Sequence, residues 1–273
     1  VTTELGCGEM GIKEEAFLAK EIENWRKIHF GRNKEWFSLA AEINRLCQSL
    51  WGHLPDSGEE DRWIFTARLL FLRGTMSFQS AVILLSHGLT VDAGTLTRSV
   101  FEDVFCLSAS RNDETLVTKL IGAHKVNRRK IARAVAQLPP DLGFTAEQSA
   151  ALRKVADELG DEGQQLNFAE IAEAAGLRPI YDVYYRSLSN EAAHPTLDSL
   201  ERLLNTNPAG EIESFANGPD ATGIAEGLAT LFVAGYYLLV TASELFKNET
   251  IHQQTTASYD TYKRLVSTTY KMA

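Results

Sequence analysis

An all-α fold, an antiparallel helical bundle with additional N- and C-terminal helices, is predicted by three features of the sequence. Apolar residues recur at helical spacing in almost every long segment, and strict apolar–polar alternation is nearly absent. The balance of 44% hydrophobic and 23% charged residues is that of an ordinary globular protein, not of a disordered or fibrous one. At 273 residues the chain can bury one large core or two tightly packed halves.

A first helix is expected over about Lys13 to Phe30. A second, over Lys34 to Leu50, places Trp36, Phe37, Ala40, Ile43, Leu46, Cys47 and Leu50 on one broad face. Pro55, Asp56 and Gly58 then mark a turn. The third helix, Glu59 to His87, directs Ile64, Ala67, Leu70, Phe71 and Met76 to the core. Gly74 lets another helix come close, and Gly88 stops this one. After the short connection Leu89 to Val91, Asp92 caps a fourth helix to about Ser110, which favours an antiparallel hairpin.

The next helix runs from near Asp113 to Gln137 and ends at Pro139 and Pro140, which cannot continue it. Thr145 with Gln148, and Asn167 with Glu170, have capping-box spacing and open two shorter helices, to about Gly160 and Gly176. Pro179 suits the first turn of a helix to about Ala193, and Pro195 makes His194 a helix boundary. A short helix from Leu197 to Leu204 leads into a loop, Asn205 to Asp220, expected as an insertion or flap. Ala221 to Phe246 and Asn248 to Lys271 form the final pair. The expected organisation is an N-terminal helical pair over residues 1–58, a core bundle over 59–204, and a loop plus C-terminal pair over 205–273 packed on it as one unit.

Several function classes are excluded. The net charge of −9 opposes whole-surface attraction to nucleic acid or anionic lipid. Cys7, Cys47 and Cys106 are too far apart for a CxxC metal site, and three cysteines make no secreted disulfide framework, so a reducing cytoplasm is expected. The acidic first thirty residues lack the pattern of a targeting segment. The uncharged stretches Gly74 to Val91 and Gly227 to Ser243 fall short of a membrane span and read as buried bundle helices, so no membrane association is expected. No GxGxxG, Walker loop, GxSxG elbow or HExxH is present, and Glu191 with His194 is a single Glu-x-x-His pair, so neither cofactor nor metal is expected.

Charge is uneven along the chain. Asp113 to Val135 holds Lys119, Lys125, Arg128, Arg129, Lys130 and Arg133 against two acids, whereas Ala136 to Glu213 holds fourteen acids against five bases. The basic helix reads either as a phosphate-tracking surface, with Lys125, Arg128 and Arg129 as binding residues, or as a solvated face balancing its acidic neighbours. It has no interleaved aromatics for base stacking.

The polar residues that stand out are Arg98 and Glu102, four apart on an otherwise apolar helix, and the segment Tyr181 to His194 with Tyr185, Arg186 and Ser189. Buried charges at 98 and 102 need partners, and a histidine at a helix boundary is placed to meet solvent or substrate. Arg98, Ser99, Phe101 and Glu102, followed by Gly176, Leu177, Tyr181, Tyr185, Leu188, Ser189, His194 and Pro195, resemble the bacterial domain of unknown function numbered 5677 over about Arg62 to Leu204. That resemblance implies an α-helical fold and brings no established activity.

More distantly the chain is similar to the HEPN helical domains, many of them RNases of toxin and phage-defence systems. Those place four to six residues between an Arg and a His, where seven separate Arg186 from His194. The likeness implies metal-independent cleavage of RNA, or action on a nucleotide. His194 would be the acid or base, Arg98 or Arg186 the phosphate ligand, and Glu102 the group that orients them, with Ser189 and Tyr185 in the binding surface. The alternative is a noncatalytic interaction or sensing module that binds a protein or an apolar small molecule between its helices. In that case Arg98, Glu102, Ser189 and His194 form a structural network. An open cleft continuous with the basic helix favours the first reading and a closed polar cluster the second. A homo-oligomer or a protein partner is compatible with either.

Overall fold

The computed structural model describes residues 12, 14–54, 62–111, 115–139, 141, 144–160, 163–193 and 196–269. Within these the chain is almost wholly helical, in keeping with the predicted fold class. The expected turn at Pro55, Asp56 and Gly58, the helix starts at Glu59 and Asp113, and the boundary at His194 and Pro195 lie outside the described residues.

A 3-10 turn at Ala16–Leu18 precedes α1 (Ile22–Arg32), so the single helix expected from Lys13 is divided. The next two helices are α2 (Lys34–Gly52) and α3 (Arg62–Ser86). In α2, Trp36, Phe37, Ala40, Ile43, Leu46, Cys47 and Leu50 are all buried, as their spacing requires. In α3, Ala67, Phe71, Phe78, Ala81 and Leu85 are buried, but Met76 is exposed, opposite to expectation. Met76 belongs with Phe65, Leu69 and Ile83 on the outward stripe, which the apolar content of both faces had masked.

Gly88 ends α3 with φ 75°, a conformation a side chain strains, while the amide of Leu89 donates to Leu84 across the turn. The following helix, α4 (Thr90–Ala109), begins two residues before Asp92, which therefore sits in its first turn instead of capping it. The pair α3 and α4 forms the expected hairpin. Then come α5 (Leu116–Val135), α6 (Ala146–Glu158) and α7 (Phe168–Ala174). Thr145 and Gln148 complete both bonds of the capping box. Asn167 caps α7 by accepting from the Ala169 amide, while Glu170 accepts from the Asn167 side chain and not from its backbone.

One continuous helix, α8 (178–193), follows, and it is wound unusually. Tyr181–Tyr185 and Ser189–Ala193 are π-helical, with ordinary α turns at Arg178–Ile180 and Arg186–Leu188. Next is α9 (Leu197–Glu201). The expected flap carries a small antiparallel hairpin, β1 (Leu204–Thr206) with β2 (Ile212–Phe215), in which Leu204 pairs with Phe215 and a bulge falls between Asn205 and Thr206.

The last two helices are α10 (Ile224–Leu245) and α11 (Glu249–Thr269). At the centre, α10 packs against α2, α3, α4 and α11. A Cβ at Gly74 would lie 3.0 Å from both methyls of Leu238, the close approach that the glycine predicted. The helices α7 and α8 pack on α4, and α5 pairs with α6 at the side. By length and composition α3 and α10 are both long and apolar enough to cross a bilayer, whereas the uncharged stretches Gly74 to Val91, which runs on into α4, and Gly227 to Ser243 are expected to fall short. In α10 that window is 61% buried inside the bundle, as a core helix requires.

Candidate functional site

Two polar regions meet along α8. The first joins α3, α4 and α8. One turn apart on α4, Arg98 Nη2 stands 3.1 Å from Glu102 Oε1. The buried Tyr185 hydroxyl completes a triangle, accepting from Arg98 Nη2 at 2.7 Å and donating to Glu102 Oε1 at 3.0 Å. The Arg98 guanidinium also lies 4.8 Å from the Tyr185 ring centroid. Phe105 and Tyr181 flank that ring at 5.8 and 4.9 Å and exclude water from it. Burial, and then the Glu102 charge, push the Tyr185 hydroxyl up to about 12, so it remains a donor at neutral pH.

Arg73 of α3 extends the network, 3.8 Å from Glu102 Oε2 and 3.1 Å from Asp103 Oδ1. Asp103 has no solvent exposure, and neither oxygen accepts an aligned hydrogen bond among the described residues, the Arg73 contact included. Burial pushes its carboxyl up to about 7 against the pull of Arg73, and Glu102 adds to the rise. Every charged member of this network therefore faces another member. It is a clamp between helices, closed by pairing within itself.

The second region is a cleft of about 310 Å³ between α4, α8, α10 and α11. Its walls include Val91, Gly94, Tyr184, Leu188, Ala229 and Tyr262. At its rim, Glu191 accepts from Ser187 at 2.6 Å and from Arg202. Glu226 lines the same cleft and makes no ion pair among the described residues. The loop at the mouth is held by Asp220, which accepts from the Thr222 and Gly223 amides at 2.8 and 3.1 Å and from Thr90 Oγ1 at 3.0 Å. Burial raises the Asp220 carboxyl, but these bonds outweigh it and hold it below its ordinary value.

Of the residues singled out in the sequence, the structure brings together Arg98, Glu102 and Tyr185. It does not bring Arg186 to them: Arg186 is 65% exposed on the outer face of α8 and pairs with Asp182 at 3.5 Å. Consecutive residues of one helix cannot share a face, and Tyr185 takes the inward one. His194 lies outside the described residues. Ser189 is half-buried, with no side-chain hydrogen bond among the described residues. Lys125, Arg128 and Arg129 lie on α5, Arg129 donating to the Gly160 carbonyl, and none of them lines the cleft.

The sequence reading missed Arg73 and Asp103, although an Asp within Val100-Phe-Glu-Asp-Val-Phe105 was a visible signal. It also missed the cleft, whose lining is spread over four helices with no spacing to reveal it. Among the described residues no three His, Cys, Asp or Glu side chains gather in a way that could hold a metal.

No curated protein and no solved structure matches the chain. The model of a family described as "Family of unknown function (DUF5677)" matches residues 65–212, more than half of the chain and the part that carries Arg98, Glu102, Arg73, Asp103 and the whole of α8; the chain belongs to that family.

Proposed function

We propose that the chain is a noncatalytic helical binding module whose cleft takes a small amphipathic amine. The observation that carries this reading is the cleft itself, separate from both the closed network and the basic helix. Its volume is at the lower end of ligand pockets, and it combines an apolar body with a few polar groups at one rim, which is the usual recipe for a small-molecule site. Arg202 is engaged by Glu191 and Glu226 is free of ion pairs among the described residues, so the rim favours a cation. Tyr184, on the cleft wall, supplies an aromatic ring for one.

The same helix couples the cleft to the core: Tyr184, Ser187, Leu188 and Glu191 face the cleft while Tyr185 closes the network. A ligand that shifts α8 would be felt by the clamp, the arrangement a sensing module needs. Titration calorimetry with 2-phenylethylamine tests this. The reading expects binding in roughly the millimolar range for so small a probe, no binding of phenylacetate, and loss of binding in Thr230→Trp, which fills the cleft. Equal binding of amine and acid, or binding unchanged in folded Thr230→Trp, overturns it.

A second reading, metal-independent cleavage of RNA by Arg186 and His194, is favoured by the π winding of Ser189–Ala193. Turns closed by i→i+5 bonds hold one more residue than α turns. The stretch from Arg186 to Ala193 thus turns through about the rotation of one residue fewer on an ordinary helix. Labelled single-stranded RNA in excess EDTA tests it: this second reading requires cleavage that disappears in folded Arg186→Ala and His194→Ala.

A further inference from the structure

A different part of the surface carries an inference about self-association. The segment from α9 through the β-hairpin presents Leu197, Leu200, Leu203, Ile212 and Phe215 to solvent, with Leu197 at 77% and Phe215 at 76% exposure. A two-stranded hairpin is marginal by itself, and five large exposed apolar side chains within the nineteen residues from Leu197 to Phe215 are unusual for a surface that stays wet. The exposed charges around this arm are mainly acidic: Asp198, Glu201, Glu211 and Glu213, with Arg202 bound to Glu191.

The opposite chemistry stands on α5. There Ile121 and Ile131 are exposed, the latter at 64%, with Lys125 and Arg128 between them, both exposed and without an ion pair among the described residues. Among the described residues, the arm and α5 are not packed on each other within one chain.

We infer that the acidic, apolar arm of one copy docks on the basic, apolar face of α5 of a second copy. Each surface supplies what the other lacks, both in sign of charge and in exposed side chains to cover. Residues 1–11 carry Glu4 and Glu9 without Lys or Arg, so their charge suits them poorly as a cover for an acidic arm. Because the two surfaces differ, the contact is head-to-tail, and copies close into a ring or extend as a chain.

Sedimentation of the full chain tests this by complementary charge reversal. The wild type is expected to exceed the 30.2 kDa of one chain as concentration rises, and less so at high salt. Glu201→Lys with Glu213→Lys should weaken association at least tenfold, as should Lys125→Glu with Arg128→Glu. Mixing the two variants should restore it, since each then offers the surface that the other has reversed. A wild type that stays monomeric at all concentrations overturns the inference. Association indifferent to both reversals, as pairing through the α3 stripe would be, also overturns it. So does a monomer whose α5 instead binds single-stranded RNA, with the binding lost in the α5 variant.

Discussion

Asp103→Asn tests the electrostatics of the clamp directly. The Asp103 carboxyl is held at about 7 in the fold against an ordinary 3.8, with burial as the largest cause. Between these values the folded chain keeps a proton that the unfolded chain has lost, so stability falls as pH rises from about 4 to about 7 and then levels off. At about 1.36 kcal/mol for each step of one in pH between 3.8 and about 7, the loss comes to roughly 4 kcal/mol in all. Asparagine has no proton to lose and leaves the half-exposed Arg73 to solvent, so the variant lacks this slope.

The assay is urea unfolding followed by circular dichroism from pH 4.5 to 8 on both proteins. Histidines and other carboxylates titrate in both, so the difference between the two curves isolates Asp103. That difference should move by about 3 kcal/mol in favour of the variant across the range. A difference that stays flat would show that Asp103 ionises as an ordinary surface carboxylate, and would refute the reasoning.

Three further outcomes are expected. Tyr185→Phe removes the hydroxyl between Arg98 and Glu102 but leaves their own contact of 3.1 Å, so urea unfolding should show a loss of about 1–2 kcal/mol with the fold retained. Gly88→Ala should cost at least about 1–2 kcal/mol in the same assay, because φ is 75° and the added Cβ would come within 2.6 Å of Trp25 and 2.8 Å of Pro219. Burial pushes the Cys47 and Cys106 thiols up to about 12, so at pH 8 both should resist iodoacetamide in the native protein and react on denaturation, as read by peptide mass.

Much of the fold was legible because its signals are local. The stop at Gly88 and the close approach at Gly74 each depend on one residue at one position, and the capping box at Thr145 and the apolar face of α2 on spacing within a single segment. The Arg98–Glu102 pair was legible for the same reason, since i to i+4 spacing fixes a shared face. What was not legible depends on pairing distant segments. Arg73 finds Asp103 only once α3 lies on α4, and the cleft exists only between four helices. The π turns of α8 had no sequence signal either, although the buried side of Tyr185 did, in the apolar and aromatic spacing of Tyr181, Tyr185 and Leu188. The hairpin did leave a faint one, a short β-prone Ile-Glu-Ser-Phe run after Asn207-Pro-Ala-Gly210, too brief to weigh against a loop.

The account rests on the cleft as the binding site and the polar network as its structural support. Amide shifts in two-dimensional NMR spectra of the full chain, recorded with 2-phenylethylamine and separately with a short single-stranded RNA, test this most directly. Saturable shifts from the amine gathered at Thr90 to Thr97, Val183 to Ala192 and Gly223 to Thr230, with the RNA left intact and without a matching footprint, are the predicted result. Saturable RNA shifts centred on α8 around Arg186, accompanied by cleavage in EDTA and with no amine footprint at the cleft, would contradict it.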